Sequence, residues 1–332
     1  MSKGLAKLNL LREFWNVTRE LNPGAIEREA QKTYRLVVLS RPGVEKSNVR
    51  AALTSGNDLA NGLVQVADLP AERGEAAQLP AADLYVYLVD GMQGVSVEDA
   101  RWLDHLEGSG RPVLLTALDG ARSMGRHASP ASEYAYYPVP LHRIAVLASD
   151  RPSEVIPALV PLITESLPGL QLALARRLPR FRDHVANQII LETSRVNAEF
   201  ALFSSIPSNI PIIGEIVSPG ADLFVLTKNQ VMMILKLAVL NGRSIDAKLE
   251  IVLEIAPVVG GAFLWRTLAR TLLGLVPGVL SAAPKTLVAF AGTHVVGSMA
   301  HYYYGHGRKP SREAVRRFRR EALERAKSAL RR

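Results

Sequence analysis

The chain has 332 residues, 48% hydrophobic and 21% charged, which is ordinary for a globular protein and long enough for two domains that each bury a core. It contains no Cys, which excludes disulfides and thiolate metal sites and fits a cytosolic setting. The net charge is +9, and the last 25 residues hold eleven Lys or Arg against three Glu, so the excess lies in one basic tail suited to an anionic partner.

Residues 1–30 read as an N-terminal amphipathic helix with Leu8, Leu11, Trp15 and Leu21 on one face. Lys7, Arg12 and Glu13 interrupt any apolar signal core, so no cleavage is expected. From 34 to 168, strand-like runs at Leu36–Leu39, Leu63–Ala67, Leu84–Val89, Val113–Leu118 and Ile144–Ala148 alternate with helical stretches at Ser47–Ser55, Val95–Glu107 and Ser153–Ser166. This alternation predicts an α/β domain with a doubly wound, mostly parallel sheet. Ligands of such sheets sit at the carboxyl ends of the strands, here Ser40, Asp68, Asp90, Asp119 and Ser149.

Leu36 to Ser47 reads as a buried strand entering a phosphate-binding loop that has lost both of its glycines. In the pattern G-x-x-x-x-G-K-[ST], Ser40 and Glu45 stand at the glycine positions while Lys46 and Ser47 remain. The glycines normally let backbone N–H groups approach phosphates at a helix N-terminus. Glu45 instead places a carboxylate beside the cradle and offers Lys46 a counter-ion other than nucleotide.

The order of these segments resembles the GTPases of the translation-factor class. Asp68-Leu69-Pro70-Ala71 is similar to their Asp-x-Pro-Gly element, with Ala71 in place of the Gly that senses the terminal phosphate. Ala81 to Asp90 resembles the strand after the second switch, and Arg111 to Leu115 the strand leading to the guanine-reading Asn-Lys-x-Asp. That last motif is missing, with Asp119 of Thr116-Ala117-Leu118-Asp119 as its one match. Val146 to Ser149 with Glu154 to Leu167 is similar to the last strand and closing helix. The resemblance implies a P-loop GTPase-like fold and a remnant nucleotide site of Gly43, Lys46, Ser47, Asp68 and Asp119, with Ser47 and Asp68 on Mg²⁺ if GTP binds. Between Ser47 and Asp68 there is too little chain for a helix, an effector loop and a full hairpin strand, so the first switch reads as deleted. Phosphoryl transfer needs positioning and metal-held charge neutralisation, so such a site is expected to be a poor catalyst.

Residues 170–307 read as an all-α, hydrophobic helical domain. Leu172 to Glu199 has helical periodicity, and Leu226–Asn241 forms a helix ended by Gly242. Pro219-Gly220-Ala221-Asp222, the Gln-containing helix around Gln230 and the closing Asn241-Gly242 resemble the helical domain of YcjF-like bacterial membrane proteins. Thr286 to Gly307 carries no Asp, Glu, Lys or Arg, ends in Tyr302-Tyr303-Tyr304 and is followed by Arg308 and Lys309, the order of a cytoplasmic membrane interface. The paired alternative is a membrane hairpin of Leu249–Leu273 and Val276–Tyr304, and the competing one a soluble bundle with a Val-, Leu- and Ala-rich core. Residues 308–332 predict a basic amphipathic helix with Val315, Phe318, Ala322, Ala326 and Ala329 on one face, suited to an anionic phospholipid surface. RNA is the rival partner and a nucleic-acid-associated protein the third reading, disfavoured because Phe318 is the tail's lone aromatic for base stacking and the tail follows the candidate membrane segment. His294, His301 and His306 lack an accompanying carboxylate, so no metal is assigned to them. The expectation is a pseudo-GTPase acting as a binding or scaffolding protein at the cytoplasmic face of the inner membrane, with no catalytic residue assigned and its protein partner left open. The alternative is a diverged NTPase that still binds GTP or ATP through the remnant loop.

Overall fold

The structure, a computed structural model, describes residues 24–55, 62–71, 73–118, 139–203, 219–247, 250–251, 254–255, 258 and 282–330. The chain divides into two compact units, Glu29–Val185 and Ala186–Arg332, the second also including the residues up to Arg28.

After helix α1 (Gly24–Gln31), the first unit runs β1 (Leu36–Ser40), α2 (Ser47–Thr54), β2 (Val64–Asp68), β3 (Leu84–Asp90), α3 (Val97–Gly108), β4 (Val113–Leu118), β5 (Ile144–Leu147), α4 (Pro152–Ser166) and α5 (Gln171–Arg177). The five strands are all parallel, in the order β2-β1-β3-β4-β5. The strands lie within a residue or so of the apolar runs read from the sequence, because a parallel sheet covered on both faces needs continuous apolar strands. Every residue of β1 is buried. Val37, Leu39, Tyr85, Tyr87, Leu115 and Ala117 form one cluster with Trp102, Leu103 and Leu106 of α3. Residues between them in the strands, such as Leu36 and Val38, point by alternation to the opposite face. Helices α2 and α4 pack on each other and bury Val49, Leu53, Val155, Leu159 and Ile163.

The connection from β1 to β2 runs one way along the sheet, and those from β2 to β3 and β3 to β4 run the other. Right-handed crossovers therefore place α2 on one face and α3 on the other. Leu69, Ala76 and Leu79 of the β2–β3 connection accordingly join the α3 cluster. The strand order reverses between β1 and β3, and their carboxyl ends form the crevice where doubly wound sheets hold ligands.

In the second unit the described residues form helices α6 (Arg182–Phe203), α7 (Pro219–Leu240), α8 (Ala282–His306) and α9 (Arg312–Leu330), with short 3-10 turns, making nine helices among the described residues overall. The helical stretch expected over Leu172 to Glu199 is two helices. Leu178 adopts an extended conformation before Pro179, as a residue preceding proline favours. Helix α7 ends at Gly242, which has φ +90° and donates to the Val239 carbonyl at 2.9 Å.

The expectation of a transmembrane helix is overturned: among the described residues no helix is long and apolar enough to cross a membrane. In α8 the uncharged run is diluted by Thr286, Thr293, His294, Ser298 and three tyrosines, and nearly its whole circumference is buried by its neighbours. A helix that is apolar all round is a core helix as readily as a membrane span. A Cβ at Gly297 would lie 2.7 Å from Ile190 Cγ1 of α6 and 2.9 Å from Met233 Sδ of α7, so this glycine lets three helices meet. At the same level Thr293 Oγ1 accepts from Asn197 Nδ2 at 2.9 Å and Gln230 Nε2 at 3.2 Å, and Asn197 Oδ1 accepts from Asn229 Nδ2 at 2.8 Å. The apolar face of α9 rests on α8 as well: Phe318, Ala322 and Ala326 are buried, with the Phe318 ring 6.1 Å from that of Tyr302. The helical readings for 1–23, most of the hairpin segment 249–281, and Asp119 lie outside the described residues.

A closed loop at the carboxyl end of the sheet

The chain leaves β1 at Ser40, buried among strands, and re-enters regular structure at Ser47, the first residue of α2. Between them Val44 N–H donates to the Arg41 carbonyl at 3.4 Å, with Pro42 and Gly43 at the corners and Gly43 at φ +92°. Pro then Gly at the two central positions is the signature of a type II turn. The loop keeps the length of a phosphate-binding loop, but it folds onto itself.

Its interior is filled by Lys46. Lys46 Nζ donates to Ser40 Oγ at 2.8 Å, to the Val44 carbonyl at 3.1 Å and to Asp68 Oδ1, at the end of β2, at 2.7 Å. The Asp68 carboxylate is 60% exposed, so this ion pair is screened and worth about 0–1 kcal/mol. The expectation that Glu45 neutralises Lys46 is thus corrected: the counter-ion is Asp68.

Glu45 does something else. Its Oε1 accepts the Ser47 N–H at 2.7 Å, and this hydrogen bond, followed by one from the Ser47 side chain, holds its carboxyl below the usual range. The side chain is exposed and satisfies the first free N–H of α2, the position where a helix start favours an anion. A carboxylate from the chain itself thus takes the anion position at the start of α2.

A third contact fixes the loop from the other side. Arg41 Nε donates to Asp99 Oδ1 at 2.9 Å, and the Asp99 side chain is 2% exposed. The same Oδ1 accepts Tyr87 OH at 2.9 Å, while Oδ2 accepts Ser96 N–H at 2.9 Å and Ser96 Oγ at 2.6 Å, completing a capping box at the start of α3. Burial pushes the Tyr87 phenol well above its ordinary range, and the neighbouring Asp99 adds to this, so it stays a donor. Asn48 Nδ2 donates to Asp150 Oδ2 at 2.7 Å, tying α2 to the loop after β5.

The structure therefore brings Gly43, Lys46, Ser47 and Asp68 together at the ends of β1 and β2. Sequence reasoning missed Arg41, Tyr87 and Asp99. The Ser96-x-x-Asp99 spacing is a local helix-start signal, but nothing in the sequence links it to Arg41, 58 residues away. Among the described residues no group of three His, Asp or Glu could hold a metal ion.

Fold and loop together define an α/β unit with a five-stranded, all-parallel sheet, compatible with a doubly wound fold, whose β1–α2 loop is held by its own side chains. Comparison with family profiles, curated proteins and solved structures finds no match.

Proposed function

We propose that the chain is a pseudo-GTPase, in which a degenerate P-loop GTPase-like unit serves as a binding or scaffolding module with little or no nucleotide hydrolysis. The observation that carries this reading is the Glu45 carboxylate on the Ser47 N–H, at the seat a phosphate would need. The Lys46–Asp68 pair supports it less, since its Asp68 end is exposed and can give way to a phosphate. Ala71 and the short connection between α2 and β2, residues 55–63, support the loss of hydrolysis, because the groups missing there act on the transition state.

The test is nucleotide affinity in the presence of Mg²⁺. Wild-type protein shows no GTP or ATP binding at micromolar nucleotide. Glu45→Gly removes the resident carboxylate and gains measurable affinity, which Lys46→Ala in that background abolishes, while turnover stays negligible. Tight wild-type binding lost on Lys46→Ala overturns the proposal in favour of a diverged NTPase. No binding by Glu45→Gly would mean that the Arg41 clasp, and not Glu45, closes the site.

A further inference from the structure

Helix α9 carries the strongest charge feature of the molecule, and its packing sorts those charges. With Phe318, Ala322 and Ala326 turned onto α8, the rest of the helix surface is fixed outward. Arg312, Arg316, Arg319 and Arg320, at i, i+4, i+7 and i+8, form one stripe of the helix that flanks the buried face, and all four are exposed. The stripe runs about 12 Å along the axis, eight residues at 1.5 Å each. On the adjoining face Arg317 pairs with Glu321, and further along the helix Lys327 pairs with Glu324, whereas none of the four stripe arginines makes an ion pair among the described residues. Glu313 borders the stripe, and Arg308 and Lys309 extend it into the exposed turn before α9.

Two properties choose the partner. An amphipathic helix on a bilayer buries its apolar face among the lipids, and here that face is already spent on α8. Attraction to an anionic membrane counts Lys and Arg alike, but the four positions 312, 316, 319 and 320 are all Arg, whose planar fork holds phosphate oxygens in pairs. A row of unpaired guanidiniums about 12 Å long spans several fixed phosphates of one duplex strand, spaced about 3.4 Å along the axis. Duplex DNA presents one phosphate per about 1.7 Å of axis together with condensed counter-ions that binding releases. We propose that the outward stripe of α9 binds the phosphate backbone of double-stranded DNA, without reading bases. The stripe contains no aromatic or amide side chain for base contacts. This inference does not depend on the nucleotide reading above.

The experiment is fluorescence anisotropy of the full chain with a labelled DNA duplex of about two helical turns, titrated over salt. Four phosphate contacts give a slope of log affinity against log salt of about −3.6, a loss of roughly 150-fold between 50 and 200 mM. Each single Arg→Gln change in the stripe lowers the slope by about 0.9, while Arg317→Gln, off the stripe, changes it by clearly less than one such step. The single variants keep the apolar seam of α9, so far-ultraviolet circular dichroism stays at the wild-type level. Parallel arms use single-stranded RNA and phosphatidylcholine vesicles with about 30% phosphatidylserine. No duplex binding at 50 mM salt, a slope indifferent to the stripe, or tighter stripe-dependent binding to RNA or vesicles than to duplex each overturns the proposal.

Discussion

Gly43 and Gly297 are needed for opposite reasons. At Gly43 the backbone holds φ +92° and a Cβ would meet nothing within 4 Å, so the demand is conformational. Gly43→Ala is expected to cost about 1 kcal/mol in urea denaturation, the price of a left-handed L residue. At Gly297 the demand is steric, with Ile190 and Met233 inside contact distance of a Cβ. Gly297→Ala should cost more, about 1–3 kcal/mol, because a packed seam of three helices cannot yield cheaply. His294 supplies a third residue-level test. It is 3% exposed, stacks on Phe290 and places Nδ1 3.3 Å from Ser298 Oγ, while Nε2 is buried without a partner. Burial, aided by the Arg325 charge, pushes its pKa down to about 4 from 6.5. The unfolded chain then takes up a proton that the folded one refuses. The contribution of this neutral histidine is complete above pH 6.5 and is lost as pH falls toward 4, by at most about 3 kcal/mol. Wild type should lose that much more than His294→Gln between pH 7 and 4, and equal losses would show that His294 does not titrate in this window.

At the scale of elements, the Arg41–Asp99–Tyr87 clasp binds the β1 loop to α3. Asp99→Ala removes a buried carboxylate with four donors and the cap of α3, and should cost about 3 kcal/mol with faster amide exchange at the start of that helix. Tyr87→Phe should cost about 1 kcal/mol. The sheet was legible in the sequence because its central strands β1, β3 and β4 are buried and read as largely apolar runs, whereas the edge strand β2, with Gln65 and a half-exposed Val66, carries a weaker signal. The clasp was not, since nothing local marks Arg41 as the partner of Asp99. Helix α8 misled for a physical reason: a core helix surrounded by α6, α7 and α9 must be apolar on every side, and over some twenty residues that pattern imitates a membrane span. Its Thr293, bonded to Asn197 and Gln230, was the polar residue that pointed to a protein interior.

For the whole molecule, charge and packing are joined in one element. Removing residues 308–332 takes eleven cations and three anions, leaving a net charge of +9 − (11 − 3) = +1. It also uncovers the side of α8 that Phe318 and Ala322 protect. The truncated chain is therefore expected to melt lower and to aggregate, whereas single Arg→Gln variants of the stripe melt within about 0.5 kcal/mol of wild type, as surface changes do. Light scattering during a thermal ramp separates the two. The sequence showed the tail as a charged amphipathic helix, and its spacing was enough for that. It could not show that the apolar side was already occupied, because which helix covers it is decided by contacts between residues far apart in the chain.

The Glu45 contact also turns occupancy of the loop into a competition. A carboxylate two residues from the N–H it caps is tethered, with an effective concentration on the order of mM or higher before any ligand arrives. A free anion has to outcompete that resident group, so a ligand must hold the loop at several points at once, and simple phosphate at ordinary cellular levels would leave it undisturbed.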